Sequence, residues 1–346
     1  MKQIIEQQPG TIRFSASNTQ PLAIGSKSYS IVGLLLDLEL AKSDGTTPAT
    51  KQDFLYRAIT GISLQGGGRP YLKVSTPDTR ILYWDTRLRL RGRHKAPDMQ
   101  AGSVTFRHQL PILFGVNPVQ VNDHLNLFDA SAGIPPDTDL TLNITWSAAG
   151  STSADGPIGT NRQIEAGTLL RVTLIGIIPE TLQEEPRYYP AWQATQWSPS
   201  QTYFGKAGLV ELPTGHLVRR SAVMCLNGAS NSWADNRTDG MASNAVSEIG
   251  VKTADGRFPL DMKLWDFAQM SQGQFQVADD NGAVPGATLA PGASSMAINY
   301  NPGVGMIDWA QLADTSKAAQ ADPLYGLNLI GKQTNAAKLA FSVDAS

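Results

Sequence analysis

At 346 residues, with 41% apolar and 17% charged residues, the chain has room for two ordinary domains, each able to bury its own core. A formal charge of -2 excludes a global attraction to nucleic acid or anionic membrane, so any such contact needs a local patch. With 32 glycines and 21 prolines the composition favours turns over long helices, and a single cysteine, Cys225, permits no intrachain disulfide. Met1 to Pro9 lacks the apolar core of a signal peptide, and no segment approaches the roughly 20 apolar residues of a membrane helix. The expectation is a protein made in a cytoplasm.

In chain order, Met1 to Thr11 is polar and Gln-bearing and is expected to be a terminal arm, with residues 1–15 outside the first domain. Ser30 to Leu40 (SIVGLLLDLEL) begins as a continuous apolar run and ends in alternation, the pattern of a strand buried on both faces and then on one. A short helix is expected to begin near Thr47 and end before the Tyr56–Ile59 stretch. Gly66-Gly67-Gly68 reads as a hairpin turn. Ile81 to Arg93 alternates, placing Arg87, Arg89, Arg91 and Arg93 on one face. Leu140 to Trp146 and Leu169 to Ile178 are apolar and β-branched and read as further strands, with the first domain spanning 16–180.

Pro179 to Pro199 changes character, with four prolines, Glu184-Glu185 and the aromatics Tyr188, Tyr189, Trp192 and Trp197. Proline with large rings suggests an extended connector lying against a surface, so the domain boundary is placed at 181–200. The second domain, 201–346, resumes the strand pattern. Leu212-Pro213-Thr214-Gly215 turns into the strand His216 to Leu226, and long polar or Gly/Ala-rich loops are expected at Asn227 to Asn244 and Asp279 to Ser295. A short helix is expected within Asp308 to Ala321, and closing strands at Leu324 to Ile330 and Ala337 to Val343. About eight strands per half, at irregular spacing, read as a β-sandwich or jelly roll built twice.

The residues offer little chemistry. The histidines (His94, His108, His124, His216) are scattered without metal-ligand spacing, so no metal site is expected. Asp235 to Gly240 places Arg237 where a calcium loop needs oxygen, and Glu184-Glu185 point apart. No nucleophile elbow or phosphate-cradling loop is present. The expectation is a protein that is not an enzyme and has no cofactor. Like charges on the Arg87–Arg93 face are costly unless anions meet them, whether a neighbouring subunit's carboxylates, nucleic-acid phosphates or lipid headgroups. Against this stands a solvated face with intrachain ion pairs. Trp192 and Trp197 could anchor an interface or form an aromatic platform for sugars.

One pattern is stated twice. Ala58-Ile59-Thr60-Gly61-Ile62-Ser63-Leu64, then Gly68-Arg69, then Tyr83-Trp84-Asp85, is echoed by Ala245-Val246-Ser247-Glu248-Ile249-Gly250-Val251, Gly256-Arg257 and Leu264-Trp265-Asp266. Apolar residues keep matching offsets (Ile59/Val246, Ile62/Ile249, Leu64/Val251), which suggests two domains of one fold in tandem.

With these paired segments and the turn at Leu212 to Gly215, the chain resembles the double jelly-roll major capsid proteins of tailless icosahedral viruses. This lineage joins membrane-containing bacteriophages with adenovirus. The resemblance implies an all-β fold of two tandem eight-stranded jelly rolls with short helices in loops. It also implies a homotrimer of pseudo-hexagonal outline that tiles an icosahedral virion shell, with other capsid or vertex proteins as partners and no small-molecule substrate. An internal membrane or genome phosphates remain open as further partners. In that setting Arg87, Arg89, Arg91, Arg93, Trp192 and Trp197 are expected to make assembly or inward-facing contacts. Asn227 to Asn244 and Asp279 to Ser295 would be tower or inter-trimer loops. The alternative is a carbohydrate-binding β-sandwich using Trp192 and Trp197.

Overall fold

The structure is a computed structural model. It describes residues 3–26, 28–50, 57–75, 105–114, 133–178, 192–193, 197, 201–212, 217–218, 220–224, 246–253, 256, 260–264, 266–267, 270, 304–309, 327–328 and 337–343. The chain divides into two compact units, with the changeover after Thr195.

In the first unit the strands are β1 (Gln3–Arg13), β2 (Thr19–Ser26), β3 (Ser30–Thr50), β4 (Ile59–Gly66), β5 (Arg69–Ser75), β6 (Thr105–Leu113), β7 (Thr138–Trp146), β8 (Gly150–Asp155), β9 (Gly159–Ile164), β10 (Leu169–Ile178) and β11 (Trp192–Gln193). One sheet runs β1-β10-β3 with β6 on the far side of β3; a second runs β11-β5-β4-β7-β2. Set aside the β8–β9 hairpin and the two-residue β11, and eight strands remain. Numbered along the chain, they give one sheet in the order first, eighth, third, sixth and another in the order second, seventh, fourth, fifth. That interleaving is the jelly-roll order, in which chain neighbours β1 and β2, or β3 and β4, fall in opposite sheets.

Burial explains why these segments form strands. Along β3, Ser30 to Leu34 are all buried and Leu36, Leu38 and Leu40 then alternate with half-buried Leu35, Asp37 and Glu39, as the apolar run followed by alternation requires. Along β7, Leu140, Leu142, Ile144 and Trp146 are buried at every second position. Phe14 meets Trp146 edge-on at a ring-centroid distance of 5.4 Å. Gly66 pairs with Arg69, leaving Gly67 and Gly68 as a two-residue turn with φ of 53° and 75°. Two successive positive φ values define the I′ turn that joins twisted strands, and glycine adopts them without a Cβ clash.

Two expectations are corrected. The polar N-terminus is no free arm: β1 pairs antiparallel with β10 from Gln3–Ile178 to Arg13–Leu169, with Ile12 buried. β10 is paired by β3 on one edge, and β1 satisfies the backbone hydrogen bonds of the other. Thr47 to Thr50, where the helix was expected to begin, are strand, while Arg57 and Ala58 just before β4 are helical and 51–56 lie outside the described residues. β3 continues to Thr50 because β9 pairs with it, Lys42–Ile164 through Asp44–Arg162 and again Ala49–Thr160. Thr47 sits in the bulge between those stretches at φ 53°.

In the second unit the strands are β12 (Tyr203–Glu211), β13 (Leu217–Val218), β14 (Arg220–Met224), β15 (Val246–Thr253), β16 (Leu260–Lys263), β17 (Val304–Asp308), β18 (Leu327–Asn328) and β19 (Ala337–Val343). One sheet runs β12-β19-β15-β16, while β14 pairs with β17 and β13 with β18. By chain rank this sheet matches β2-β7-β4-β5, and the β14–β17 pair matches β3–β6. Even the bridge from Ile31, at the head of β3, to Ile134, ahead of β7, has its counterpart in the β13–β18 pair. Among the described residues, the second unit thus repeats six of the eight jelly-roll positions.

The echo in the sequence falls on equivalent strands. β4 and β15 are both eight residues long, each pairs with the next strand along the chain, and Ile62/Ile249 and Leu64/Val251 are buried in both. The Trp84 and Trp265 side chains lie outside the described residues. The core of this unit joins Val223 and Ile307, from the β14–β17 pair, to Ile249, Val251, Leu339 and Phe341 of the sheet.

Candidate functional site

Of the residues expected to make contacts, the structure describes Trp197 and the backbone of Trp192. Arg87, Arg89, Arg91 and Arg93 lie outside the described residues, as do the loops Asn227 to Asn244 and Asp279 to Ser295. Trp192 belongs to the first unit by its backbone, paired in parallel with Leu72; its side chain is outside the description. Trp197 belongs to the second unit and is half-buried, its ring stacked on Phe341 at 5.6 Å and tilted against Tyr203 at 5.8 Å. Stacked on Phe341, the half-buried Trp197 ring has one face taken up within its own unit. Of the four histidines His108 is described, buried on β6 opposite Leu38. No cluster of metal-ligating side chains, and no helix long and apolar enough to cross a membrane, occurs among the described residues.

Among the described residues three ionic clusters stand out. On the β10-β3-β6 face, Arg171 meets Glu39 at 2.7 Å and Arg107 meets the same carboxylate at 3.1 Å. The three strands place them side by side, since Glu39 pairs with Leu169 on one side and Arg107 on the other. The hydrogen bond from Arg171 holds the Glu39 carboxyl below the usual carboxylate range.

The second cluster is buried. Lys42 Nζ lies 2.9 Å from Asp44, and Arg162 reaches the same carboxylate at 3.3 Å, with both cationic side chains almost wholly enclosed. Burial pushes the Lys42 ammonium below its ordinary range, against the hydrogen bond it donates to Asp44, which raises it. Two cations around one carboxylate fasten the β8–β9 hairpin to β3.

The third cluster lies on the second unit. Lys206 Nζ meets Asp261 at 2.5 Å and Glu248 at 3.5 Å, and its backbone N–H donates to Ser342 Oγ at 2.7 Å. The hydrogen bond to Asp261 raises the Lys206 ammonium above its ordinary range. Ser342 Oγ donates in turn to Glu248 at 2.6 Å, so one lysine is tied to residues of β15, β16 and β19. None of these clusters was evident from spacing, because each joins residues distant in sequence.

With this geometry in hand, the comparisons decide the fold. No protein-family model and no curated sequence matches the chain. Solved structures do match over nearly its whole length. The major capsid protein STIV MCP is 15% identical, with 99% of this chain and 92% of that one covered at a TM-score of 0.63. The STIV particle is described as the Sulfolobus Turreted Icosahedral Virus. The major capsid protein of bacteriophage PM2 is 13% identical, with 99% and 92% covered at 0.52. The PBCV-1 virus capsid is 12% identical, with 99% and 84% covered at 0.52. The fold is a double jelly roll. A single match spanning both units agrees with the repeated strand order found within the chain.

Proposed function

We propose that the chain is the major capsid subunit of a tailless icosahedral virus, a non-catalytic protein that works by self-association. The observation that carries this reading is the tandem repetition of one strand order, in a chain whose fold matches capsid proteins across its length. Three copies, each bringing two similar units, give a trimer of nearly hexagonal outline, and such trimers can tile a closed shell. Symmetry then multiplies interfaces that are individually modest. A formal charge near zero and a low charged fraction suit surfaces that must lie against one another.

In this reading the protein resides in the virion after synthesis in the host cytoplasm. Its partners are further copies and the other coat or vertex proteins. The Arg87, Arg89, Arg91 and Arg93 face meets carboxylates of a neighbouring copy or inward-facing phosphates, and Trp192 contributes to a contact. Electron microscopy of the purified protein tests the whole reading: hexagonal trimers or shells are expected. A strictly monomeric species at high concentration, by light scattering, would overturn it. For the arginine face, the double variant R89E/R91E is expected to remain folded but fail to assemble; unimpaired assembly removes that role.

A further inference from the structure

The second unit holds one aromatic side chain out in solvent by a device more elaborate than an ordinary exposed residue requires. Phe204 is 82% exposed. Scattered exposed apolar residues are common and by themselves need no explanation. Here the surrounding backbone is unusual. Between the pairs Tyr203–Val343 and Gly208–Phe341, β12 carries four residues against the single Ser342 of β19. The bulge includes Gly205 and Lys206 in succession at φ of 59° and 60°. A left-handed non-glycine residue is strained by roughly 1–2 kcal/mol and persists only where its surroundings fix it.

The surroundings do fix it. Lys206 is held at its backbone by Ser342 and at its ammonium by Asp261 and Glu248. Tyr203, at the base of the bulge, packs against the unit's core beside Trp197. Anchored on both sides, Phe204 is left facing away from the core its neighbours join.

The location narrows what can use it. β12 ends its described sheet order, and bulges on edge strands block the recruitment of another strand through backbone hydrogen bonds. An occupant must therefore meet the ring. Around the bulge Lys206 meets Glu248 and Asp261, and the exposed Lys263 stands opposite Glu248, so two cations face two carboxylates. Balanced charge gives anionic lipid and nucleic acid no net attraction and favours a protein surface.

We propose that Phe204 is an anchor for association with a second copy of this chain, its ring buried in an apolar recess of the neighbour. This rests on the self-association argued above. The bulge keeps the ring presented, so little ordering remains to be done when the contact forms.

Sedimentation velocity over a concentration series, on the full chain, tests this with Phe204→Ser and Phe204→Trp. The wild type is expected to associate. Phe204→Ser should weaken association about thirty-fold, the scale of a central aromatic anchor, at an unchanged melting temperature. Phe204→Trp should retain most of the association. Wild-type strength in Phe204→Ser overturns the anchor while leaving the capsid reading intact; a wild type that never associates overturns both. Co-sedimentation with phosphatidylcholine/phosphatidylglycerol vesicles is the companion measurement. If Phe204→Ser abolishes vesicle binding and leaves self-association unchanged, the ring serves lipid and the proposal falls.

Discussion

The two units share a strand order, yet the first encloses one of its two ionic clusters while the second keeps its cluster at a sheet edge. In the first, the 21-residue β3 is paired by β10, β6 and β9, and the salt bridge at its far end is enclosed. In the second, the corresponding β14 has five residues, and the ionic cluster sits on an edge strand with one carboxylate half exposed. The contrast shows that topology and apolar offsets are shared, while each unit places its charges according to what surrounds it. In the first unit charge fastens a hairpin to a long strand; in the second it braces a bulge.

The sharpest test of that contrast removes the carboxylate from each cluster. Asp44→Ala would remove the carboxylate that the enclosed Lys42 and Arg162 share, and breaking a buried ion pair costs about 3–5 kcal/mol. Asp261→Ala removes a partner that is half exposed, and Glu248 remains, so a loss of at most about 1 kcal/mol is expected. Denaturant unfolding of the two variants measures both. Equal losses would show that the clusters differ less than their burial indicates.

Next in size are the equivalent core positions. Ile62→Ala and Ile249→Ala each delete a fully buried branched side chain at the same place in β4 and β15, and each should cost about 2–4 kcal/mol. If only Ile62→Ala destabilises, the second unit does not rely on this strand as the first does. At the hairpin, Gly68→Ala has open space around its Cβ but φ of 75°, so the expected cost is purely conformational, about 1 kcal/mol. Thermal melting resolves it; an unchanged melting temperature would show that the turn relaxes freely.

Legibility in the sequence followed the kind of force involved. The apolar periodicities of β3, β7 and β10 were readable because burial alone dictates them, and the echo between β4 and β15 was readable because both strands fill the same place in a core. Pairing partners were not. β1 read as an arm because a Gln-rich strand shows its nature only beside β10, more than 150 residues away. The end of β3, from Thr47, read as the start of a helix because β9, which draws the strand out, is over 100 residues downstream. Trp197 stood out as an aromatic beside prolines, yet it stacks on Phe341. Among the described residues the exposed ring is Phe204, followed by a glycine and a lysine whose positive φ no local pattern announces.

The smallest expected effect has opposite signs in the two units. Lys206 is raised above its unfolded value of about 10.4, so the folded state binds more protons as pH passes that value, and stability from this group is lost as pH climbs. Lys42 is lowered, so between its folded and unfolded values the unfolded chain binds more protons, and stability rises with pH up to about 10.4. Melting temperatures of wild type, Lys42→Met and Lys206→Met at pH 8 and pH 11 isolate the two terms. The advantage of wild type over Lys206→Met should shrink on going to pH 11, while the balance between wild type and Lys42→Met should move toward wild type. The same sign in both would mean that Lys42 stays charged through its pairing with Asp44. In that case the enclosed cluster of the first unit would behave as the exposed one does, and burial would not be what separates them.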